Sequence, residues 1–254
     1  MRALVLADGS PPTRNDLERV WPNWDRDVAL VIAADGGARL ADALGMPIDL
    51  WVGDGDSLGE AGCEDLRRRG VPMTVAATDK DQTDTELGLL AALDRGATWI
   101  TLIGVLGGPR PDHAMANMFL LGHPMAGDVA IEILDPTARI RLLAARPDRG
   151  AMSPLDLAGR VGDLVSLIPL DDVVGVTTTG LRFPLAEADL RAGSSFTISN
   201  VRTDPVASVS IRAGRLLVIE VPATLDSSSS RSLLRSTHEH ARARGTRPGH
   251  RPPG

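Results

Sequence analysis

Residues 28–44 read VALVIAADGGARLADAL: seven apolar residues from Val28 to Ala34, then Asp35-Gly36-Gly37-Ala38, then a helical pattern from Arg39 to Leu44. A continuously apolar run, an acidic glycine turn and a helical stretch make one strand-loop-helix unit of a parallel sheet covered on both faces. The unit recurs. Apolar runs at 3–7, 50–52, 73–77, 99–103 and 129–134 alternate with helical stretches at 60–69, 85–93 and 114–121. This alternation predicts a doubly wound α/β domain over residues 1–148. Ser57-Leu58-Gly59-Glu60 and Thr83-Asp84-Thr85-Glu86 both fit the capping-box pattern that opens a helix.

After residue 149 the texture changes. Runs of strand type at 164–170, 173–179, 195–199, 206–211 and 216–221 are punctuated by Gly175, Gly180, Pro184, Gly193, Pro205 and Gly214. Short strands with frequent turns predict an antiparallel sandwich or small barrel over residues 149–225. From Asp226 the chain reads SSSSRSLLRSTHEHARARGTRPGHRPPG, with too little apolar surface to offset ordering entropy, so residues 226–254 are expected to be a disordered tail.

Charge is divided unevenly. The 254 residues carry 25 Asp and 8 Glu against 26 Arg and one lysine, Lys80, for a net charge of -6. Residues 1–148 hold 23 acids and 14 bases, or -9, so the acidity belongs to the α/β domain. A Walker A loop needs Gly-Lys-Ser/Thr, yet Lys80 follows Asp79, and no GxGxxG occurs either. A net acidic chain also lacks the basic footprint of general nucleic-acid binding. The composition, 43% hydrophobic but only 3% aromatic and without Tyr, calls for a core of Ala, Leu, Val and Ile. Cys63 is the single cysteine and cannot form an internal disulfide, which fits a reducing compartment. No apolar run approaches the roughly 20 residues that span a bilayer, and the first ten residues do not form a signal h-region. A cytoplasmic protein without a membrane partner is expected.

Asp8, Asp35, Asp54 and Asp79 each follow an apolar run, at what would be the carboxyl ends of parallel strands. Ligands of open α/β sheets bind outside those ends, near the topological switch point, so these carboxylates are expected to converge. Converging like charges need a cation. The densest clusters are Gly53-Asp54-Gly55-Asp56-Ser57 and Lys80-Asp81-Gln82-Thr83-Asp84. Hard oxygen donors without His or Cys point to magnesium, which shares its shell with water and substrate phosphates. The competing reading is that each Asp only caps a turn. A third segment, 104–113, reads GVLGGPRPDH and leads into a helical stretch. Its glycines and amides could hold a phosphate with help from Arg110, or form an ordinary Gly/Pro turn. His113 reads as a helix-start residue or a support for a neighbour rather than as a base.

In order, DGGA (35–38), GDGDS (53–57), KDQTDTE (80–86), GVLGGPRPDHAMAN (104–117) and GSSFTISN (193–200) resemble the thiamine pyrophosphokinase (thiamine diphosphokinase) family, over residues 31 to about 220. The resemblance implies a Rossmann-like N-terminal domain, a C-terminal β-sandwich, and a homodimer with its active sites between subunits. It implies transfer of a pyrophosphoryl group from ATP to the hydroxyl of thiamine, giving thiamine diphosphate and AMP. At matching positions, Asp54, Asp56 and Asp84 would hold magnesium, with Asp35 and Asp81 nearby. Lys80 and Arg110 would contact phosphates; Gly36, Gly107, Gly108, Asp112 and His113 would lie at the nucleotide pocket. Ser195, Ser199 and Asn200 would hold thiamine, chiefly the last two.

Two departures stand out. The family reads GGRxDH where this chain reads GGPRPDH, which shifts Arg110 by one residue from Gly108. All four tryptophans lie in the first domain, so the indole that stacks on thiamine in some relatives has only Phe183 or Phe196 to replace it. Asp81 and Asp112 are both candidates for orienting or deprotonating the attacking hydroxyl. Competing functions are a pyrophosphokinase acting on a hydroxymethylpterin and a non-catalytic nucleotide or thiamine sensor.

Overall fold

The computed structural model describes residues 1–77, 79, 81–145 and 154–223. The tail at 226–254 lies outside the described residues, as does Lys80. Six parallel strands carry the N-terminal part: β1 (Arg2–Leu6), β2 (Val28–Ala34), β3 (Leu50–Gly53), β4 (Met73–Val75), β5 (Trp99–Ile103) and β6 (Ala130–Asp135). Their order is β6-β5-β1-β2-β3-β4, so the chain winds outward through β2, β3 and β4 and then returns to the other side of β1. The switch point lies between β1 and β5.

Both faces are covered, as continuously apolar strands require. Ala3 and Val5 of β1 pack into one core with Ile100 and Leu102; Leu4 and Leu6 pack into the other with Trp51, Leu40 and Leu44. Helix α4 (Asp84–Asp94) lies on the first face, where Leu89 and Ala92 are fully buried. The second face carries α1 (Arg14–Val20), α2 (Gly37–Leu44) and α3 (Gly59–Arg68). Helix α5 (Pro111–Phe119) follows β5. Among the described residues, no helix is long and apolar enough to cross a membrane.

The sheet does not end at β6. Strand β7 (Ala138–Ala145) pairs antiparallel with β6, and β14 (Gly214–Val221), β9 (Leu164–Pro169) and β12 (Asn200–Val201) extend it to ten strands. A second sheet, ordered β11 (Ala188–Leu190), β10 (Val173–Thr179), β13 (Ser208–Ser210) and β8 (Leu155–Asp156), packs on this extension to form the sandwich. Strand pairing thus crosses the 148/149 boundary. Its core is Leu143, Val165, Leu167, Val176, Val209 and Leu216 with their neighbours.

Two elements escape the apolar pattern. Helix α1 buries only Leu17 and Val20. Strand β7 alternates rather than running continuously apolar: Arg139 and Arg141 lie on a sheet face where buried Glu132 and Glu220 receive them at 3.4 and 2.7 Å. The opposite error occurs at 195–199, expected as strand: Ser199 takes a left-handed backbone (φ +58°) and the Thr197 hydroxyl donates to the Leu167 carbonyl at 2.6 Å, so the segment is a turn held against β9.

Candidate metal and phosphate site

Sheet geometry brings the acidic loops together. Asp35 stands immediately beyond β2, Asp54 immediately beyond β3, and Asp84 opens α4, which packs over β1 to β3. Carboxylate oxygens of Asp35, Asp54 and Asp84 all lie within 4.8 Å of one another. The described structure therefore joins Asp54 and Asp84, expected as metal ligands, to Asp35, expected beside them.

Asp35 is the most constrained of the three. It is buried (2% exposed) in a left-handed conformation, φ +42°. Its N–H donates to the Val52 carbonyl at 2.8 Å, and its own carbonyl accepts the Trp51 indole N–H at 3.0 Å. Its carboxylate accepts the backbone N–H groups of Ser57 (2.9 Å) and Leu58 (3.2 Å). These are orphan donors at the entry to α3. The capping box expected at Ser57 and Glu60 is accordingly not formed: Leu58 holds the N-cap position without a side-chain bond, and the Ser57 hydroxyl donates to Asp56 Oδ1 at 3.1 Å. A buried carboxylate needs donors, and Asp35 takes the Ser57 N–H that the box would have given to Glu60, together with that of Leu58.

Thr83 does cap α4, accepting the Glu86 N–H at 3.2 Å, but the Glu86 carboxylate turns to His123 Nε2 at 3.3 Å instead of closing the box. Asp54 Oδ1 accepts the Asp56 N–H at 3.1 Å. Asp56 lies on the same loop, its Oδ1 accepting the Ser57 hydroxyl.

Burial pushes the Asp35 carboxyl above its ordinary range and outweighs the two amide donors, with Asp56 adding to the rise. Because the folded value is raised, the stability due to protonated Asp35 is fully present below about 3.8. It is lost as pH rises through the raised value. Without divalent cations, Asp35→Asn should therefore gain stability relative to the parent between pH 4 and pH 7; denaturant unfolding at both pH values measures this, and a constant difference would refute it.

The second half of the site lies at the switch point. The Gly9 N–H donates to the Gly104 carbonyl at 2.6 Å and the Ser10 N–H to that of Leu106 at 2.9 Å. The Gly108 N–H reaches Ser10 Oγ at 3.2 Å. Residues 8–10 after β1 and 104–108 after β5 are thus stitched into one rim, with Gly107 and Gly108 in left-handed turns. Ser10 is absent from the sequence expectations, although Asp8-Gly9-Ser10 after an apolar run repeats the logic of GDGDS.

Arg110 and Asp112 face each other: Nε and Nη2 donate to the two carboxylate oxygens at 3.0 and 2.6 Å. The guanidinium bond holds the Asp112 carboxyl at about 2. His113 is exposed in the first turn of α5. Asp81 is exposed, and Gly36 precedes α2 as its N-cap.

The sandwich end holds the remaining expected residues. Ser195 is exposed, and the Ser199 N–H donates to Ser166 Oγ at 3.0 Å. The Asn200 amide brackets the backbone of Phe183, accepting its N–H at 3.1 Å and donating to its carbonyl at 2.8 Å. It thereby presents the ring of Phe183, which is 60% exposed; Phe196 is 67% exposed.

A doubly wound sheet with carboxylates and a glycine rim at its carboxyl edge, continued into an antiparallel sandwich, defines a class of α/β protein whose ligand site lies outside the strand ends. Residues 21–133 match the model of the thiamin pyrophosphokinase catalytic domain, and residues 155–216 that of the thiamin pyrophosphokinase vitamin B1 binding domain. The chain belongs to the thiamin pyrophosphokinase family. It is 29% identical over 220 residues to thiamine pyrophosphokinase of Bacillus subtilis (strain 168), covering 86% of this chain and 98% of the relative. Among solved structures, a thiamin pyrophosphokinase family protein from Enterococcus faecalis superposes with a TM-score of 0.72 at 27% identity, covering 87% of this chain and 99% of that one. Thiamin pyrophosphokinase from Geobacillus thermodenitrificans gives 0.71 at 26%, covering 90% and 99%.

Proposed function

We propose that the chain transfers the pyrophosphoryl group of ATP to the hydroxyl of thiamine, releasing AMP and thiamine diphosphate. The observation that carries this reading is the three-carboxylate cluster at the carboxyl ends of β2 and β3, within a chain whose two halves match the two domain models of one kinase family. In this reaction the hydroxyl oxygen bonds to the β-phosphorus, the bridge between the α- and β-phosphates breaks, and AMP leaves with the bridging oxygen. Such transfers ask a protein chiefly for positioning and charge balance.

Donor chemistry fits magnesium: all-oxygen, anionic, with room for water and phosphate between carboxylates up to 4.8 Å apart. Asp35, Asp54 and Asp84 would hold it, with Asp56 beside them, and it would neutralise polyphosphate charge. Ser10 and the Gly107–Gly108 turn form a rim suited to phosphate oxygens. Arg110 engages Asp112 through Nε and Nη2, which leaves Nη1 for an incoming oxygen. Lys80, beside Asp81 in the sequence segment that leads to Asp84, is assigned to balance phosphate charge. Of the two candidates for orienting the thiamine hydroxyl, Asp112 is a poor proton acceptor because Arg110 holds it at about 2. Asp81 is the better assignment.

Thiamine binding is assigned to the sandwich, with Ser195 and Ser199 at its rim and Phe183 and Phe196 offering stacking faces. In the order of the sheet, β9, which anchors residues 195–199, stands six strand spacings from β2. At ~4.8 Å each that is about 29 Å, too far for one thiamine to span. This separation supports a homodimer that completes each site with the partner's sandwich.

The test supplies ATP, magnesium and thiamine and follows AMP and thiamine diphosphate by chromatography. Thiamine-dependent AMP is expected, with none when a hydroxymethylpterin replaces thiamine; AMP formation that ignores thiamine would overturn the reading.

A further inference from the structure

The first turn of α2 carries Arg39 and no acidic residue. The helix dipole disfavours that choice, because the amino end of a helix is already positive. The guanidinium is nonetheless fixed by two bonds. Nη2 donates to Asp8 Oδ2 at 2.6 Å and Nη1 to the Ser57 carbonyl at 3.0 Å. Asp8 lies just beyond β1, and Ser57 belongs to the loop that carries Asp54 and Asp56. One side chain therefore ties the carboxyl ends of β1 and β3 together across β2.

Gly36 lies beneath this bridge. A Cβ there would stand 2.2 Å from Asp8 Oδ2 and 2.8 Å from Arg39 Nη2, so the missing side chain makes room for the pair. Stability is a weak reason for the arrangement, since the side chains of Arg39 and Asp8 are 52% and 41% exposed and ion pairs at such exposure contribute little. What the bridge does fix is Ser57, whose N–H is in turn held by the buried carboxylate of Asp35.

We propose that Arg39 is a positioning residue for the acidic loop, holding Ser57 from its carbonyl side so that Asp54 keeps its spacing from Asp35 and Asp84. The proposal rests on reading those three carboxylates as a divalent-cation site. Removing a group that orients metal ligands typically weakens metal affinity about 10- to 100-fold.

The test titrates manganese alone, by calorimetry, into the full chain and its Arg39→Ala, Arg39→Lys, Asp8→Ala and Arg39→Ala/Asp8→Ala variants, with a thermal melt of each. Arg39→Ala is expected to bind manganese at least about tenfold more weakly with an almost unchanged melting temperature. Arg39→Lys keeps a charge near Asp8 but lacks the fork that also reaches Ser57, so it should stay weak. The double variant should be no weaker than Arg39→Ala, because the two residues act as one bridge. Parental affinity in Arg39→Ala, or simple additivity in the double variant, would overturn the role of Arg39. Absence of manganese binding by the parent would instead remove the cation site itself, and the proposal with it.

Discussion

Asp54→Asn is expected to form AMP from ATP and thiamine about 10³-fold more slowly than the parent, roughly 4 kcal/mol of transition-state stabilisation, while melting at the same temperature. The two halves of that expectation have separate causes. The amide retains an oxygen to accept the Asp56 N–H, which lies 3.1 Å from Oδ1, so the turn after β3 survives. It removes one of three negative charges packed within 4.8 Å, which relieves repulsion in the metal-free chain and weakens the hold on a cation. Initial rates at saturating magnesium and a thermal melt decide the matter. A rate within tenfold of the parent would take Asp54 out of the site.

Gly37→Ala acts on the fold. A Cβ at residue 37 would sit 1.9 Å from the Leu6 carbonyl oxygen, 2.5 Å from its carbon and 3.0 Å from Ala7 Cα. All three are backbone atoms at the end of the central strand β1, which is held by β2 on one side and β5 on the other. The strand cannot retreat without breaking those pairings, and the helix cannot without unpacking Leu40, Ala41 and Leu44 from the core. Overpacking typically costs about 1–3 kcal/mol, and contacts this short against backbone put Gly37→Ala at the upper end, a large share of the roughly 5–15 kcal/mol that holds an ordinary domain together. A large fall in the urea midpoint or loss of soluble protein is expected, and an unchanged midpoint would show that α2 can shift. Gly37, unlike Gly36, thus matters through contact between helix and strand rather than through the ion pair.

The parallel half was legible because its signals are local. Strands β2 and β5 coincide with the runs read from sequence, and the helices α2, α3 and α4 begin within two residues of expectation. Strand β7 carries no continuous apolar run but a strict alternation from Ala138 to Leu142, and Arg139 and Arg141 look like surface residues until Glu132 of the adjoining β6 and Glu220 of the distant β14 meet them. The carboxylates were legible as a set because four of them follow strands. Their hydrogen bonds were not: Asp35 capping α3 depends on a contact between loops 22 residues apart. Ser195 to Ser199 misled for the converse reason, its apolar alternation being that of a strand while Ser199 bends the backbone left-handed.

The continuity of the ten-stranded sheet bears on how the molecule can move. Seven register pairs join β7 to β14 and six join β14 to β9, so the halves matched by two separate family models share one hydrogen-bonded spine. A hinge between them would have to tear a sheet ladder, which makes clamshell closure over a substrate a poor mechanism here. Opening and closing are left to the loops at the strand ends, and the sandwich serves as a rigid arm that keeps Phe183 and Phe196 at a set distance from the chain's own carboxylates.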